Sequence, residues 1–246
     1  MNNLVFGIDI GGTGIKGGIV NIKKGRMETE RVKIATPQPA TPESVAEVSR
    51  QLLKQFDWKG DVGVGFPSII KNNVCMTATN IDKSWIGKNV SKVLKKRTGL
   101  RATVVNDADA AAICEMQFGA AKGKKGLVMI VTVGTGIGCG MIYNGVLVPN
   151  NEMGVTYLDN GVMLEKHSSN AARKRESLDW KSYTKRLNKG LQHIDRIISP
   201  DLIVLGGGMA NKMEYIEEYL DKQLNIVPAQ FRNEAGTIGG AMATRL

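Results

Sequence analysis

An α/β fold made of two similar halves is predicted by three observations. Strand-length apolar runs alternate with helix-period segments along the chain. Each half opens with a strand, a Gly-Thr-Gly turn and a second strand, as DIGGTGIKGG and again as TVGTGIGCG. At 246 residues, with 42% hydrophobic and 23% charged residues, the chain is long enough for one large domain or two lobes of about 100 to 150 residues.

The elements follow in order. Residues 4 to 10, 15 to 22 and 29 to 35 read as three strands of an antiparallel meander, with turns at GGTG and KKGR. PQPATPES supplies turn chemistry and a helix start, after which Val45, Val48, Leu52, Leu53 and Phe56 recur at helical spacing. DVGVGF is a buried strand, residues 89 to 98 a short helix, and ATVVN a strand. The Ala-rich DADAAAICEMQFGAA is a helix, which places Asp107 at a strand-to-helix junction. A glycine-rich strand pair spans 126 to 148, and an irregular basic region runs to about 177. A long helix covers Trp180 to Ile198, DLIVLGGG is a strand ending in glycines, a helix runs from Asn211 to Leu224, and GTIGGAMAT closes the chain as a small-residue helix.

Composition excludes several classes. With 33 Lys and Arg against 23 Asp and Glu the net charge is +10, which favours a polyanionic partner. Only five Phe, three Trp and five Tyr occur, too few for the interleaved aromatics of a nucleic-acid binder. Cys75, Cys114 and Cys139 lie far apart with no CxxC pair, so they read as buried thiols in a reducing, cytoplasmic compartment. The N-terminus carries Asp9 inside its short apolar run and does not read as a secretory signal. The uncharged stretch from Gly126 to Asn151 is broken by glycines and polar threonines, so it reads as buried strands and not as a membrane span.

GTGIKG at 12 to 17 matches a dinucleotide fingerprint, but Gly18, Ile19, Val20 and Ile22 continue as a strand where that fingerprint opens a helix. The turn is therefore a hairpin tip whose glycines let backbone N–H groups approach an anion, with Thr13 and Lys16 as further donors. GTGIG at 134 to 138 offers a second such tip.

DIGGTGIKGGIV, TPQPATPES, NIDKSWIGKN, NDADAA, GTGIGCG, VPNNEMG and SPDLIVLGGG, in that order over nearly the whole chain, resemble the ROK (repressor, open reading frame, kinase) family, and most of all its polyphosphate glucokinase branch. The resemblance implies an actin-like ATPase (ribonuclease H-like) fold with two lobes around a cleft. Residues 1–108, completed by a helix at 235–246, would form the smaller lobe, and 109–234 the larger lobe with a dimerisation surface. It also implies a homodimeric hexose kinase that phosphorylates the 6-hydroxyl of glucose, with mannose as a further candidate substrate, from polyphosphate, ATP or both. That is carbohydrate phosphorylation of the kind that feeds glycolysis.

By the same resemblance Asn80, Asn106, Asp107 and Glu152 surround the sugar, with Asp107 as general base and Glu165 as a second sugar carboxylate. Asn106 and Asp107 also have the residue types that cap a helix, and Glu165 those of a plain surface residue. Donor phosphates are expected at Gly11, Gly12, Thr13, Gly14 and Lys16 on one tip and at Thr135, Gly136 and Gly138 on the other. Gly206, Gly207 and Gly208 would lie near a nucleotide base, and Asp9 beside a hydrated Mg²⁺. Arg173, Lys174 and Arg175, with Lys122, Lys124 and Lys125, could extend the anion track or form a solvated face.

Two departures from the family pattern stand out. Val155 occupies the fourth position of a motif that commonly reads Glu-x-Gly-His, which removes a hydrogen-bonding partner for the sugar. The family's zinc-binding cysteines are missing, as in the polyphosphate branch, so no zinc is expected; His167 and His193 read as packing or surface residues. The competing function is a catalytically weak or inactive sugar sensor, motivated by Val155. A repressor's helix-turn-helix domain finds no room ahead of a strand starting at residue 4, and neither nucleic acid nor membrane is an expected partner.

Overall fold

The computed structural model describes residues 3–245. The chain divides into two compact units, Met1–Cys114 with Glu234–Leu246, and Glu115–Asn233.

The first unit is a sheet of β1 (Leu4–Ile10), β2 (Ile15–Asn21), β3 (Arg26–Met27), β4 (Val32–Ile34), β5 (Val62–Phe66) and β8 (Ala102–Asn106), with a small separate hairpin of β6 (Ile70–Lys71) and β7 (Val74–Cys75). The strand order is β3-β2-β1-β5-β8, with β4 also on β2. β1 and β2 are antiparallel, whereas β1, β5 and β8 run parallel. Parallel neighbours need crossover helices, supplied here by α1 (Pro42–Gln55) between β1 and β5 and α2 (Val90–Thr98) between β5 and β8, and α3 (Asp107–Phe118) follows β8. Thr41 caps α1 through Ser44 N–H with Pro42 in its first turn, and Asn89 caps α2 through Lys92 N–H.

The period-2 alternation of the central strands decides what lies on each face. Phe6, Ile8 and Ile10 of β1 and Val62, Val64 and Phe66 of β5 share one core with Val45, Val48 and Leu52 of α1. On the opposite face Gly7 of β1 and Gly63 and Gly65 of β5 lie where the C-terminal helix (Ala235–Met242) approaches closely. A side chain at Gly63 would overlap the Gly240 carbonyl, and one at Gly7 the Thr237 carbonyl. The VGVGF spelling of β5 is thus one apolar face and one helix-docking face.

The second unit repeats the plan. β9 (Leu127–Val133), β10 (Ile137–Tyr143), β11 (Val146–Val148), β12 (Leu202–Gly207) and β13 (Ile226–Pro228) stand in the order β11-β10-β9-β12-β13. Again an antiparallel hairpin is followed by parallel strands. Three helices lie between β11 and β12: α4 (Leu164–Ser168), α5 (Asn170–Arg175) and α6 (Trp180–Ile198), and α7 (Met213–Ile216) follows β12. Tyr183, Leu187, Leu191 and Ile194 of α6 join Met129, Val131, Ile203 and Leu205 of the sheet in one core. No helix among the described residues is long and apolar enough to cross a membrane.

Four elements differ from expectation. The strand expected at 29 to 35 is shortened to β4, and a two-residue β3 forms ahead of it, because Thr29 Oγ1 accepts the Ile19 N–H at 3.1 Å and interrupts the ladder between them. The helix after Asn106 ends at Phe118 and not at Ala121, since the buried Glu115 carboxylate takes the Ala120 N–H at 2.8 Å. The basic region to 177 is not irregular: Ser169 ends α4 and caps α5 through Ala172 N–H. The helix expected from Asn211 to Leu224 is a broken run of one-turn segments ending at Tyr219. Asn188 of α6 donates to the Tyr219 carbonyl at 2.8 Å and accepts the Asp221 N–H at 3.1 Å, so side chains replace the helical ladder there.

Candidate active site

In α/β sheets ligands gather at the carboxyl ends of the parallel strands, and both units place their glycine turns there. In the first unit the β1–β2 tip is closed by Gly11 N–H to the Gly14 carbonyl at 3.1 Å. It is braced from outside by Thr36 Oγ1, which donates to the Gly11 carbonyl at 2.5 Å. Thr13 at the tip is exposed. Lys16 reaches back to Asp9, Nζ to Oδ2 at 2.8 Å, with side chains 26% and 14% exposed.

Asp9 lies in register with Gly65 of β5, and a Cβ on Gly65 would stand 3.5 Å from Asp107 Cα. The expected metal carboxylate and the expected base therefore flank one glycine. Asp9 would meet a divalent cation as a single carboxylate already sharing Lys16. That donor set suits a hard ion that brings its own waters and phosphate oxygens and does not suit an all-protein cage. Among the described residues no three His, Cys, Asp or Glu side chains gather to hold a metal.

The capping alternative for NDAD resolves onto Asn106. Its Oδ1 accepts the N–H groups of Ala108 at 2.8 Å and Asp109 at 3.1 Å, and its Nδ2 donates to the Ser68 carbonyl at 3.1 Å. At 4% exposure it is a buried cap. Asp107 Oδ1 also accepts the Ala108 N–H, and the residue is half-buried at the head of α3. Asn106 thus fixes the turn from which Asp107 projects. Asn80 is exposed, and its carbonyl would lie 3.3 Å from a Cβ on Gly12, so it borders the first glycine tip.

In the second unit the β9–β10 tip is closed by Gly134 N–H to the Gly136 carbonyl at 3.0 Å, with Thr135 exposed. Gly206 and Gly207 pair in register with Thr132 and Val133, so the glycine run 206–208 lies beside this tip. Gly207 adopts φ +66°, and a side chain there would press on Val133, so glycine is required on both counts. Ala171 N–H of α5 donates to the Gly134 carbonyl at 3.2 Å, tying the basic segment to the tip.

Of that segment, Arg173 stacks over Trp180 at 4.1 Å and donates to Asn170 Oδ1 and the Leu178 carbonyl. Arg175 binds the Lys166 carbonyl at 2.8 Å and Glu176 Oε1 at 2.9 Å. Lys174 is exposed. The two arginines hold the fold of α4 to α6, which the sequence cluster did not reveal.

Glu152 starts the turn Met153–Val155, which packs so closely on β10 that a side chain at Gly154 would overlap the Ile137 carbonyl. Burial, with Glu165 close by, raises the Glu152 carboxyl above its ordinary 4.5. Glu165 is 6% exposed, so it is no surface residue. Burial likewise pushes the Cys139 thiol up to about 12, with Glu152 adding to it, which leaves that thiol inert. Two neighbouring carboxylates suit a ligand that brings hydroxyl donors.

Val155 is 36% exposed. The next residue, Thr156, donates its hydroxyl to the Met153 carbonyl at 2.8 Å and meets His193 Nε2 at 3.0 Å, while Arg196 lies 3.3 Å from His193 Nδ1. With its proton given to Met153, the Thr156 oxygen accepts from Nε2–H, and Nδ1 accepts from Arg196. His193 is a packing residue that pins the Glu152 turn. His167, in α4, contacts Ser168 Oγ at 3.0 Å and is held below its ordinary value mainly by burial.

The sequence is matched over residues 5–159 by the model of the family described as ROK. It is 40% identical over 240 residues to the polyphosphate glucokinase of Mycobacterium tuberculosis (strain CDC 1551 / Oshkosh), covering 97% of this chain and 90% of that protein. It is 38% identical to the polyphosphate glucokinase of Mycobacterium leprae (strain TN), covering 97% of this chain and 74% of that one. The inorganic polyphosphate/ATP-glucomannokinase from Arthrobacter sp. strain KM superposes with a TM-score of 0.95 at 42% identity over 100% of both chains. A ROK family glucokinase from Streptomyces griseus, at 23% identity, shares the fold with a TM-score of 0.82 over 97% of this chain and 98% of that one. The chain has the actin-like ATPase fold and belongs to the ROK family.

Proposed function

We propose that the chain is a hexose kinase that transfers a phosphoryl group from inorganic polyphosphate or ATP to the 6-hydroxyl of glucose, and of mannose as a second substrate. The observation that carries this reading is the division of labour in NDAD. Asn106 takes the Ala108 and Asp109 N–H groups as the main cap, and to Asp107, a half-buried carboxylate at the mouth of β8 that shares the Ala108 N–H, we assign a role beyond capping. The names of the relatives at 38 to 42% identity support the same reaction.

In the mechanism, Asp107 accepts the proton of the 6-hydroxyl as the sugar oxygen attacks the terminal phosphorus, and the bridging P–O bond breaks to release ADP or the polyphosphate chain shortened by one phosphate. Asn106 positions Asp107. Asn80, Glu152 and Glu165 accept or donate hydrogen bonds to the remaining sugar hydroxyls. The backbone N–H groups of Gly11 to Gly14, with Thr13 and Lys16, and those of Thr135, Gly136 and Gly138 orient the donor phosphates, and Gly206 to Gly208 leave room for a base when ATP is the donor. A Mg²⁺ carried by the donor and met by Asp9 would neutralise phosphate charge. The buried cysteines, which form no disulfide among the described residues, support a reducing, cytoplasmic setting, and the family resemblance supports a homodimer.

A coupled glucose 6-phosphate assay with each donor separately tests this reading. Turnover with either donor is the expected result. Tight glucose binding by calorimetry without turnover from either would make the protein a sugar sensor instead.

A further inference from the structure

Strand β4 brings a second lysine to the first phosphate tip. In the antiparallel registers Asp9 pairs with Lys16, and Lys16 pairs with Lys33. Directly paired residues share a sheet face, so Asp9, Lys16 and Lys33 form a row across three strands. Two like charges placed directly opposite one another are destabilising unless an anion joins them. Lys16 has one in Asp9. Lys33 is exposed and, among the described residues, pairs with no carboxylate.

Where the Lys33 side chain lies adds a second, independent sign. It crosses the hairpin tip, and a methyl group at Gly14 would overlap Lys33 Cε. Gly14 is not among the glycines with positive φ, so backbone conformation does not demand glycine there. An alanine there would displace the flexible end of Lys33, so the glycine leaves the lysine its path over the tip. The same stretch of chain also frames the tip: Thr36 Oγ1 donates to the Gly11 carbonyl at 2.5 Å, and Gln38 Nε2 lies 3.5 Å from the Gly12 carbonyl. A solvated surface lysine needs neither the glycine nor a place beside a paired lysine.

We propose that Lys33 is a further cationic ligand for the phosphoanhydride chain of the donor, lying beyond Lys16 on the edge of the β1–β2 tip. The assignment rests on the kinase reading above. Triphosphate and inorganic polyphosphate share the recognised chemistry, a row of phosphate oxygens each bearing negative charge, to which an ammonium offers three donors.

The test is a titration of the full chain with inorganic tripolyphosphate, run beside steady-state kinetics with ATP and with long-chain polyphosphate, on wild type, Lys33→Gln and Lys33→Arg. Lys33→Gln should weaken tripolyphosphate binding and raise the donor KM by about tenfold, the scale of one charged hydrogen bond. The KM for glucose should stay within about twofold, added salt should narrow the gap between variant and wild type, and Lys33→Arg should restore most of the loss. A raised KM with both donors puts Lys33 on phosphates common to the two, and a raised KM with polyphosphate alone puts it on the extended chain. Unchanged tripolyphosphate affinity together with unchanged KM for both donors overturns the assignment. A wild type that transfers no phosphate from either donor defeats the kinase reading instead, and the tripolyphosphate titration still decides the role of Lys33.

Discussion

Asp9 and Asp107 stand on either side of Gly65: Asp9 is its partner in the parallel register, and a Cβ on Gly65 would lie 3.5 Å from Asp107 Cα and 3.3 Å from Ala110 Cβ. The separation between Asp9 and Asp107 is therefore set by a residue with no side chain. Gly65→Ala should push α3 outward by a few tenths of an ångström. Because small misplacements in a catalytic site are costly, kcat should fall about tenfold, with smaller changes in either KM and a stability loss of about 1 to 3 kcal/mol. Steady-state kinetics beside a denaturant melt check this. An unchanged kcat would show that Asp107 tolerates the shift.

Glu152 gives a pH dependence of defined sign. Its carboxyl is raised above 4.5 by burial and then by Glu165, so the folded state holds a proton that the unfolded state has already released. Its contribution to stability is present in full below 4.5 and is lost as pH rises through the raised value. Accepting a sugar hydroxyl needs the ionised form, so glucose affinity should rise across the same window. Glu152→Gln should weaken glucose binding, flatten that rise and make the protein more stable at neutral pH. Glucose titrations from pH 4.5 upward, with melts of both proteins, measure all three effects.

The basic segment divides into residues held by contacts within the fold and an exposed lysine. Arg173 stacks on Trp180 and bonds to Asn170 and the Leu178 carbonyl, so Arg173→Ala should cost about 1 to 3 kcal/mol of stability. Lys174→Ala, on an exposed side chain, should leave stability within about 0.5 kcal/mol and raise the KM for polyphosphate more than for ATP. Equal effects of Lys174→Ala on the two donors would make it part of a solvated face.

Much of the fold is legible because local and global signals agree. Helix α6 runs from Trp180 to Ile198 as the periodicity predicts, with Asp179 capping it through Ser182 N–H at 2.7 Å. The duplicated strand–glycine–strand openings predict two sheets of one topology, which the matching strand orders display. Legibility fails where a side chain from elsewhere takes a backbone partner. Thr29 splits β3 from β4 and Asn188 breaks the run before Leu224, and no local pattern announces either bond. At the site, the family motifs suggest Glu152 and Glu165 for the sugar. They could not show that Asn106 is committed to capping, that Arg173 is committed to Trp180, or that Lys33 lies over Gly14. These follow from register and packing, which a linear sequence does not display.

The central claim is that Asp107 takes the proton from the sugar, and the kcat of Asp107→Asn with a saturating donor tests it most directly. The substitution keeps the size of the side chain and the acceptor for Ala108 N–H, so the account predicts a protein with unchanged melting behaviour and glucose affinity. Its kcat should be lower by about 10² to 10⁴, the usual contribution of a positioned base. A kcat within about threefold of wild type would contradict the account and remove Asp107 from the chemistry.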